Sequence, residues 1–557
     1  MEIEEIEDNN IKNSSIIGKG AYGTVYKIND TNKIIKIMDT YYYVNTTDYK
    51  NLKLYQPFLI TEMSNYLHLN KINNIGKFTN IYKSNTHINL EMDDLGLSLD
   101  KFINNYNISL DYIKIIMFKL SNTLLDSYNK FIIHCDIKPP NILIKNKNNS
   151  VDVNLIDFGL SRFVIDDDFN KVYDEIQTIW YRAPEQLLKS KDINSYKIDI
   201  WSLGIIFLEL LFNKYGILNS TNEFTIIQYI LAIIGLENIS KNYLDILVVK
   251  YPSLNLNNYP IGNNLHRYLV KYTASPEYIL IFDLLQNMLK FDPHDRYNYS
   301  QIINHKFFDS IRHLHLDIVA KEIPIENKLL DLEYDLNYDY IKKLNPYYIK
   351  NREYLCSLII QFYKYDKLNF ISYNISFCIK YLDIMASVEK IENNEILFFV
   401  IYAINFQKTI HTFNYIDIIS IYKQFLKFRQ DKIIDLEIDQ KINENIFCEK
   451  YINICNKMKF NFNICCPICY EKLLENLVDE NKNLIDNSEI IKYYRNIILK
   501  CQISDKIYKT NIFVLVQCCF ILIYTKFKVS NKYIQNIFNN VTLDHSNIIK
   551  KIKNLIA

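Results

Sequence analysis

His134-Cys135-Asp136-Ile137-Lys138-Pro139-Pro140-Asn141 is the stretch from which the fold can be read, and Asp157-Phe158-Gly159 follows it downstream. Two acids and an amide at this spacing, with Lys and Pro between, are rarely produced by chance. All three side chains offer oxygen, the donor a hard cation such as Mg²⁺ prefers. Upstream, Gly18-Lys19-Gly20-Ala21-Tyr22-Gly23-Thr24-Val25-Tyr26 is glycine-rich. Glycine lets backbone N–H groups approach a phosphate with no Cβ in the way. By itself this pattern also fits a dinucleotide-binding turn. Here no βαβ unit follows. The next expected elements are a strand, Lys33 to Met38, carrying Lys36, and a helix carrying Glu62.

In order and spacing these segments resemble the protein kinases. The resemblance implies phosphoryl transfer from ATP, which needs an acid to accept a hydroxyl proton and oxygen ligands to hold Mg²⁺ on the phosphates. It makes Asp136 the base, Asn141 and Asp157 the Mg²⁺ ligands, and Lys138 the cation that steadies the transferred group. Gly18, Gly20, Gly23 and Val25 would cover the nucleotide phosphates. Lys36 would hold the α- and β-phosphates and pair with Glu62. Met92 falls at the gatekeeper position, Asp93 to Leu95 at the hinge that hydrogen-bonds adenine, and Leu143 among the nucleotide-binding positions. Ile34 stands where the family usually has a small Ala, so crowding of the adenine and modest ATP affinity are expected.

Trp180-Tyr181-Arg182-Ala183-Pro184-Glu185 resembles the end of an activation segment. Asp199-Ile200-Trp201-Ser202-Leu203-Gly204 resembles the helix that anchors the catalytic loop, and Arg296 would pair with Glu185. His305-Lys306-Phe307-Phe308 resembles the close of the domain, so the likeness covers residues 11–310. Lys138 and Thr178 point to a serine/threonine enzyme. The Trp-Tyr-Arg-Ala-Pro-Glu run points to the group holding cyclin-dependent and mitogen-activated kinases, which often require proline after the target residue. Related kinases gather three Arg around a phosphothreonine. Two of those positions here hold Cys135 and Thr61, leaving Arg162, and the phosphothreonine position holds Tyr173. Asp166 to Asp168, Asp174 and Glu175 supply negative charge nearby, so activity without phosphate on this segment is expected. Tyr22 matches a tyrosine whose phosphorylation inhibits cell-cycle kinases, but its usual threonine neighbour is Ala21; regulatory and structural readings both stand.

At 557 residues the chain is expected to hold more than one domain. A hydrophobic content of 49% is enough for full-sized cores, and a net charge of +1 provides no field for nucleic acid or a membrane surface. Met1 to Asn10 is acidic, unlike a signal peptide. Ile512 to Tyr524 is too short to span a bilayer. The 11 Cys follow no small-scaffold pattern, which fits free thiols in a reducing cytoplasm or nucleus. Cys465-Cys466-Pro467-Ile468-Cys469 lacks a second ligand pair at zinc spacing and reads as core or helix-start cysteines.

All 10 Gly lie at or before Gly262, so the remainder is expected to be helical with ordinary connections. Ile375, Cys378, Ile379, Leu382, Met385 and Ala386 recur at helical spacing. Glu395 to Phe406 and Ile512 to Tyr524 are apolar almost all round, as core helices are. Two such helices suggest two stacked bundles. Over residues 336–545 this plan resembles the cyclins. The marker residues are Arg352 with Asp383, which form a buried pair in that family, and Phe460 to Pro467, similar to the turn after the fifth helix. Cyclins grip their kinase through a Lys and a Glu; Asn405 and Asn453 stand there instead. On the kinase side, Gln56-Pro57-Phe58-Leu59-Ile60-Thr61 keeps only Ile60 of the usual signature, with Glu62 following.

The expected architecture is thus an α+β bilobal protein kinase fold (11–310), a charged linker (311–335) and an all-α cyclin-like domain of two stacked bundles (336–545). The expected function is ATP- and Mg²⁺-dependent phosphorylation of protein substrates on serine or threonine. Activation would come in cis through an intramolecular kinase–cyclin-like contact, with no nucleic-acid or membrane partner. One alternative is an active kinase whose C-terminal bundle recruits substrates or scaffolds. Another is a pseudokinase binding module, against which the complete set Lys36, Glu62, Asp136, Lys138, Asn141 and Asp157 stands.

Overall fold

A computed structural model of the chain describes residues 3–5, 14–20, 23–44, 52–84, 86–147, 150–163, 178–189, 196–237, 239–313, 321, 344, 346–365, 372–389, 396–407, 421, 424, 425, 427, 428, 444–459, 461, 463, 474, 487–504, 507, 510, 512–527 and 542–556. The chain forms two compact units. The first joins Met1–Thr40 to Phe58–Glu322; the second joins Tyr41–Pro57 to Ile323–Ala557.

The first unit opens with strands β1 (Ile3–Glu5), β2 (Ser14–Gly20), β3 (Gly23–Ile28) and β4 (Lys33–Asp39). After an excursion into the second unit come helix α1 (Pro57–His68) and strands β7 (Phe78–Lys83) and β8 (His87–Asp93). These strands form one sheet, ordered β1-β7-β8-β4-β3-β2. β4 is rich in β-branched residues, which suit a pleated, half-buried surface. It pairs antiparallel with β8 from Lys33↔Asp93 to Asp39↔His87, and with β3 at Val25↔Lys36. β1 adds a parallel edge to β7, a role the acidic N-terminus had not suggested. Pro57 opens α1, where a missing backbone N–H costs nothing.

The remainder of this unit is mainly helical. Helix α3 (Leu110–Asn129) is capped by Ser109, whose side chain accepts from the Tyr112 N–H. The helix Lys197–Phe212 is apolar on nearly every face and buried along its length. It closes on Asn213 in the left-handed conformation (φ 52°), which Asn tolerates. Arg296 forks onto Glu185, Nη1 and Nη2 donating to Oε1 and Oε2 at 2.7 and 2.5 Å. Ile311 was expected to open the linker but is buried, on a short helix Asp309–Arg312. It lies one helical turn from the buried Phe307 and Phe308 and continues their face.

The second unit is predominantly helical among its described residues: Pro346–Tyr365, Ser372–Val388, Ile396–Gln407, Glu444–Lys457, Asn487–Ile503, Ile512–Phe527 and Leu543–Ile556. The first of these helices starts at Pro346, again with Pro in a first turn. Arg352 and Asp383 pair in two-pronged fashion, Nε to Oδ1 at 2.7 Å and Nη2 to Oδ2 at 2.9 Å. Tyr348 donates to the same carboxylate, and Arg352 Nη1 donates to the Ile503 carbonyl at 3.1 Å. Asn405 is buried and accepts from the Tyr451 hydroxyl at 3.0 Å, while Asn453 donates to Glu389 at 2.7 Å. Cys465 to Cys469 lie outside the described residues; the described cysteines are buried. Among the described residues no helix is long and apolar enough to cross a membrane.

Residues 41–57 were expected within the kinase domain. They form a hairpin, β5 (Tyr41–Val44) against β6 (Leu52–Tyr55), that groups with the second unit. Leu54 and Tyr55 are buried there. The Tyr55 hydroxyl donates to Asn456 Oδ1 at 2.6 Å, and Tyr41 stacks on Tyr55 at 5.2 Å. A two-stranded hairpin is marginal alone and needs such a surface.

Candidate active site

The run His134 to Asn141 leads from strand Ile132–Ile133 to strand Ile142–Lys147. Its start is held by Asp199, at the head of the helix Lys197–Phe212. Oδ2 accepts from the His134 N–H at 2.8 Å and Oδ1 from the Cys135 N–H at 2.9 Å. Burial pushes Asp199 up to about 7, with those two N–H groups pulling the other way. Between them Cys135 takes a left-handed φ of 62°, uncommon for a residue with a Cβ. Burial lowers His134 to about 4, so its ring is neutral. Nδ1 accepts from the Asp136 N–H at 3.2 Å, which leaves Nε2–H to donate to the Ile156 carbonyl at 3.1 Å.

Asp136 gathers the polar groups of the loop. Its Oδ2 meets Lys138 Nζ at 2.7 Å and accepts from Asn141 Nδ2 at 3.1 Å. Asn141 Nδ2 also donates to the Asp136 carbonyl at 2.9 Å. Lys138 Nζ reaches Thr178 Oγ1 at 3.1 Å. Burial raises the Asp136 carboxyl and Lys138 opposes it. A raised carboxylate is the better proton acceptor.

Across the cleft, Lys36 Nζ contacts Glu62 Oε1 at 2.6 Å and Asp157 Oδ1 at 3.3 Å. Burial disfavours the ammonium, but Glu62 and then Asp157 outweigh it and the Lys36 pKa is raised. Burial pushes Glu62 up to about 7 against the pull of Lys36. As pH falls through about 7, protonation of Glu62 removes the nearer of the two carboxylates that pair with Lys36. The pH profile of kcat/KM is therefore expected to drop on the acid side near that value, since it reports free-enzyme groups. A flat profile there would show that Glu62 keeps its charge independently of pH. Phe58, on α1, lies beside Lys36 and Gly159: its ring centre is 5.5 Å from Lys36 Nζ, and a Cβ at Gly159 would fall 1.8 Å from its Cζ.

The positions expected to bind nucleotide lie on the adjacent strands β2, β3, β4 and β8, just after β8, and on the strand Ile142–Lys147. Among the described residues, a Cβ at Gly18 or Gly20 would meet nothing closer than 3.8 Å. A Cβ at Gly23 would strike the Ile37 carbonyl at 2.4 Å, which fixes glycine there. Ile34 and Met92 are cross-strand partners and both buried, as is Leu143. In the segment expected to form the hinge, Asp93 meets Lys33 at 2.9 Å and Asp94 meets Lys27 at 2.6 Å. Tyr22 and Tyr173 lie outside the described residues; Arg162 is buried in the short strand Arg162–Phe163.

The residues present fit a hard cation. With Nδ2 engaged by Asp136, Asn141 has its amide oxygen left to offer. Asp157 is 35% exposed and its carboxyl is held low, Lys36 foremost among the charges that outweigh burial. An amide oxygen and a carboxylate suit Mg²⁺. Reading the sequence missed the neighbours of Glu62 on α1. Tyr66 accepts from the Asp157 N–H at 2.9 Å, and Asn65 donates to the Phe158 and Ser161 carbonyls at 3.0 and 3.2 Å. Helical spacing marks both as inward-facing and says nothing of a backbone partner some ninety residues away.

The profile of the family described as Protein kinase domain matches residues 11–308. Over 303 residues the chain is 27% identical to cyclin-dependent kinase B2-1 of Oryza sativa subsp. japonica, covering 53% of this chain and 88% of that protein. Over 354 residues it is 27% identical to mitogen-activated protein kinase 3 of Arabidopsis thaliana, covering 60% of this chain and 88% of that protein.

Proposed function

Because the chain belongs to the protein kinase family, a family of transferases that phosphorylate proteins, we propose that it moves the γ-phosphoryl group of ATP to serine or threonine and is activated in cis by its C-terminal helical unit. One observation carries the first part. Lys36, Glu62 and Asp157 meet on one side of the cleft, and Asp136, Lys138 and Asn141 meet on the other. Glu62 keeps Lys36 on the nucleotide phosphates. Asp136 takes the proton of the attacking hydroxyl, and Lys138 lies beside it toward the transferred group. Mg²⁺, when bound, neutralises charge on the phosphates, and Asn141 and Asp157 are the residues that would hold it. The contact of Lys138 with Thr178 supports the choice of serine and threonine.

Cis activation draws support from the path of the chain. The strand bearing Lys36 and the helix bearing Glu62 are joined by residues 41–57, which pack with the C-terminal helices through Tyr55 and Asn456. Such a joint is a two-state element that a partner can bias. A covalent partner is present at high effective concentration, which tolerates the loss of the cyclin charges at Asn405 and Asn453. A cyclin-like plan for the helical unit is favoured by the buried Arg352–Asp383 pair.

The test is phosphorylation of a peptide library by the purified full-length chain with ATP and Mg²⁺. Phosphoserine and phosphothreonine are expected, without any added partner protein. Label on tyrosine alone would overturn the residue class. A requirement for an added partner would overturn cis activation, and no transfer at all would favour a binding module.

A further inference from the structure

We propose that Tyr66 and Asn65 form a polar latch on α1 that holds the Asp157-Phe158-Gly159 turn in its metal-binding conformation; this rests on the assignment of Asp157 as a Mg²⁺ ligand. Asp157 sits at φ 67° and ψ 73°, a left-handed conformation unfavourable for a residue with a Cβ. Such a conformation persists only where its surroundings over-determine it. Tyr66 and Asn65 do so from two sides. The Tyr66 hydroxyl accepts the Asp157 N–H at 2.9 Å. The Asn65 amide donates to the carbonyls of Phe158 at 3.0 Å and Ser161 at 3.2 Å, both on the C-terminal side of Asp157. Both latch residues are buried, so water does not replace them readily.

The position of the latch on the helix gives it a further role. Glu62 lies one turn before Tyr66, on the same face. The helix therefore fixes both carboxylates that meet Lys36: Glu62 through its own backbone and Asp157 through Tyr66. Displacement of α1 withdraws both together. The Tyr66 ring also packs edge-on against Phe158 at 5.3 Å and against Phe78 at 4.2 Å. Phenylalanine at this position keeps that packing and removes only the hydroxyl, which separates the latch from the core. Tyr66 and Asn65 are positioning residues, acting through Asp157 and the turn.

The experiment uses full-length protein carrying Tyr66→Phe or Asn65→Leu. Binding of a fluorescent ADP is titrated with and without Mg²⁺, and peptide phosphorylation is measured in parallel. For Tyr66→Phe, Mg²⁺-free ADP affinity is expected to stay within about twofold of wild type. The Mg²⁺-dependent gain in ADP affinity and kcat should each fall about tenfold, ~1.4 kcal/mol, with peptide KM unchanged. Asn65→Leu should behave alike. An unchanged Mg²⁺ gain in both variants would overturn the latch. So would equal losses of ADP binding with and without Mg²⁺, the mark of a packing role alone. If wild type itself binds no ADP, the nucleotide reading falls and the latch falls with it; wild-type binding with unaltered variants rejects the latch alone.

Discussion

Asp136→Asn is expected to lower kcat by about 10²- to 10⁴-fold, the usual worth of a positioned proton acceptor. Peptide KM and thermal stability should hardly change. The amide is nearly isosteric with the carboxylate, and the backbone contact from Asn141 goes to the main-chain carbonyl of residue 136 and is kept. Burial already disfavours charge at this position, so a neutral side chain does not strain the fold. What is lost is the proton acceptor, together with the 2.7 Å contact that fixes Lys138. Steady-state kinetics with a melting curve on the same preparation checks this. A variant within about twofold of wild type in kcat would take the base assignment away from Asp136.

Arg296→Met is expected to destabilise the first unit by about 3–5 kcal/mol, the range for breaking a buried ion pair from one side. Both partners are fully buried, so Glu185 would be left charged and unpaired. Arg296 also donates to the carbonyls of Lys290, Lys197 and Phe291 and lies 5.1 Å over the Trp201 ring. Those carbonyls would lose their donor as well. Because the two Trp, Trp180 and Trp201, both lie in the first unit, tryptophan fluorescence follows its unfolding separately from the helical unit. Adding Glu185→Leu to Arg296→Met should recover part of the loss, since it removes the stranded charge. An unshifted fluorescence transition in the single variant would show the pair to be energetically idle.

The grouping of the candidate site residues was legible because their spacing is dictated by a short loop. Asp136, Lys138 and Asn141 lie on one turn of chain, and their contacts follow from that turn. The Arg296–Glu185 and Arg352–Asp383 contacts were expected from family resemblance, and both form as forked ion pairs. The third member of the second pair, Tyr348, was not foreseen. Helix starts at Pro57 and Pro346 were blurred because a proline in a first turn looks the same as one in a loop. Tyr66 and Asn65 could not be recognised from pattern, since periodicity reports that a side chain faces inward and not which backbone group it meets. Residues 41–57 were harder still. Their alternation is consistent with a loop insert, and what fixes them is a hydroxyl–amide contact between positions 401 residues apart.

That separation sets a timetable for synthesis. A ribosome adding ~5–20 residues per second needs about 20–80 s to pass from Tyr55 to Asn456. Throughout that interval the nascent hairpin has no helix to receive Leu54 and Tyr55, while Lys36 and Glu62 have already emerged on either side of it. The hairpin, part of the second unit, therefore cannot be completed in simple N-to-C order. Its strands must wait on residues made 401 positions later, and loss of those later helices would leave an apolar hairpin exposed between Lys36 and Glu62. Such an edge invites aggregation, so truncated products are expected to be cleared rather than to linger as unregulated enzyme.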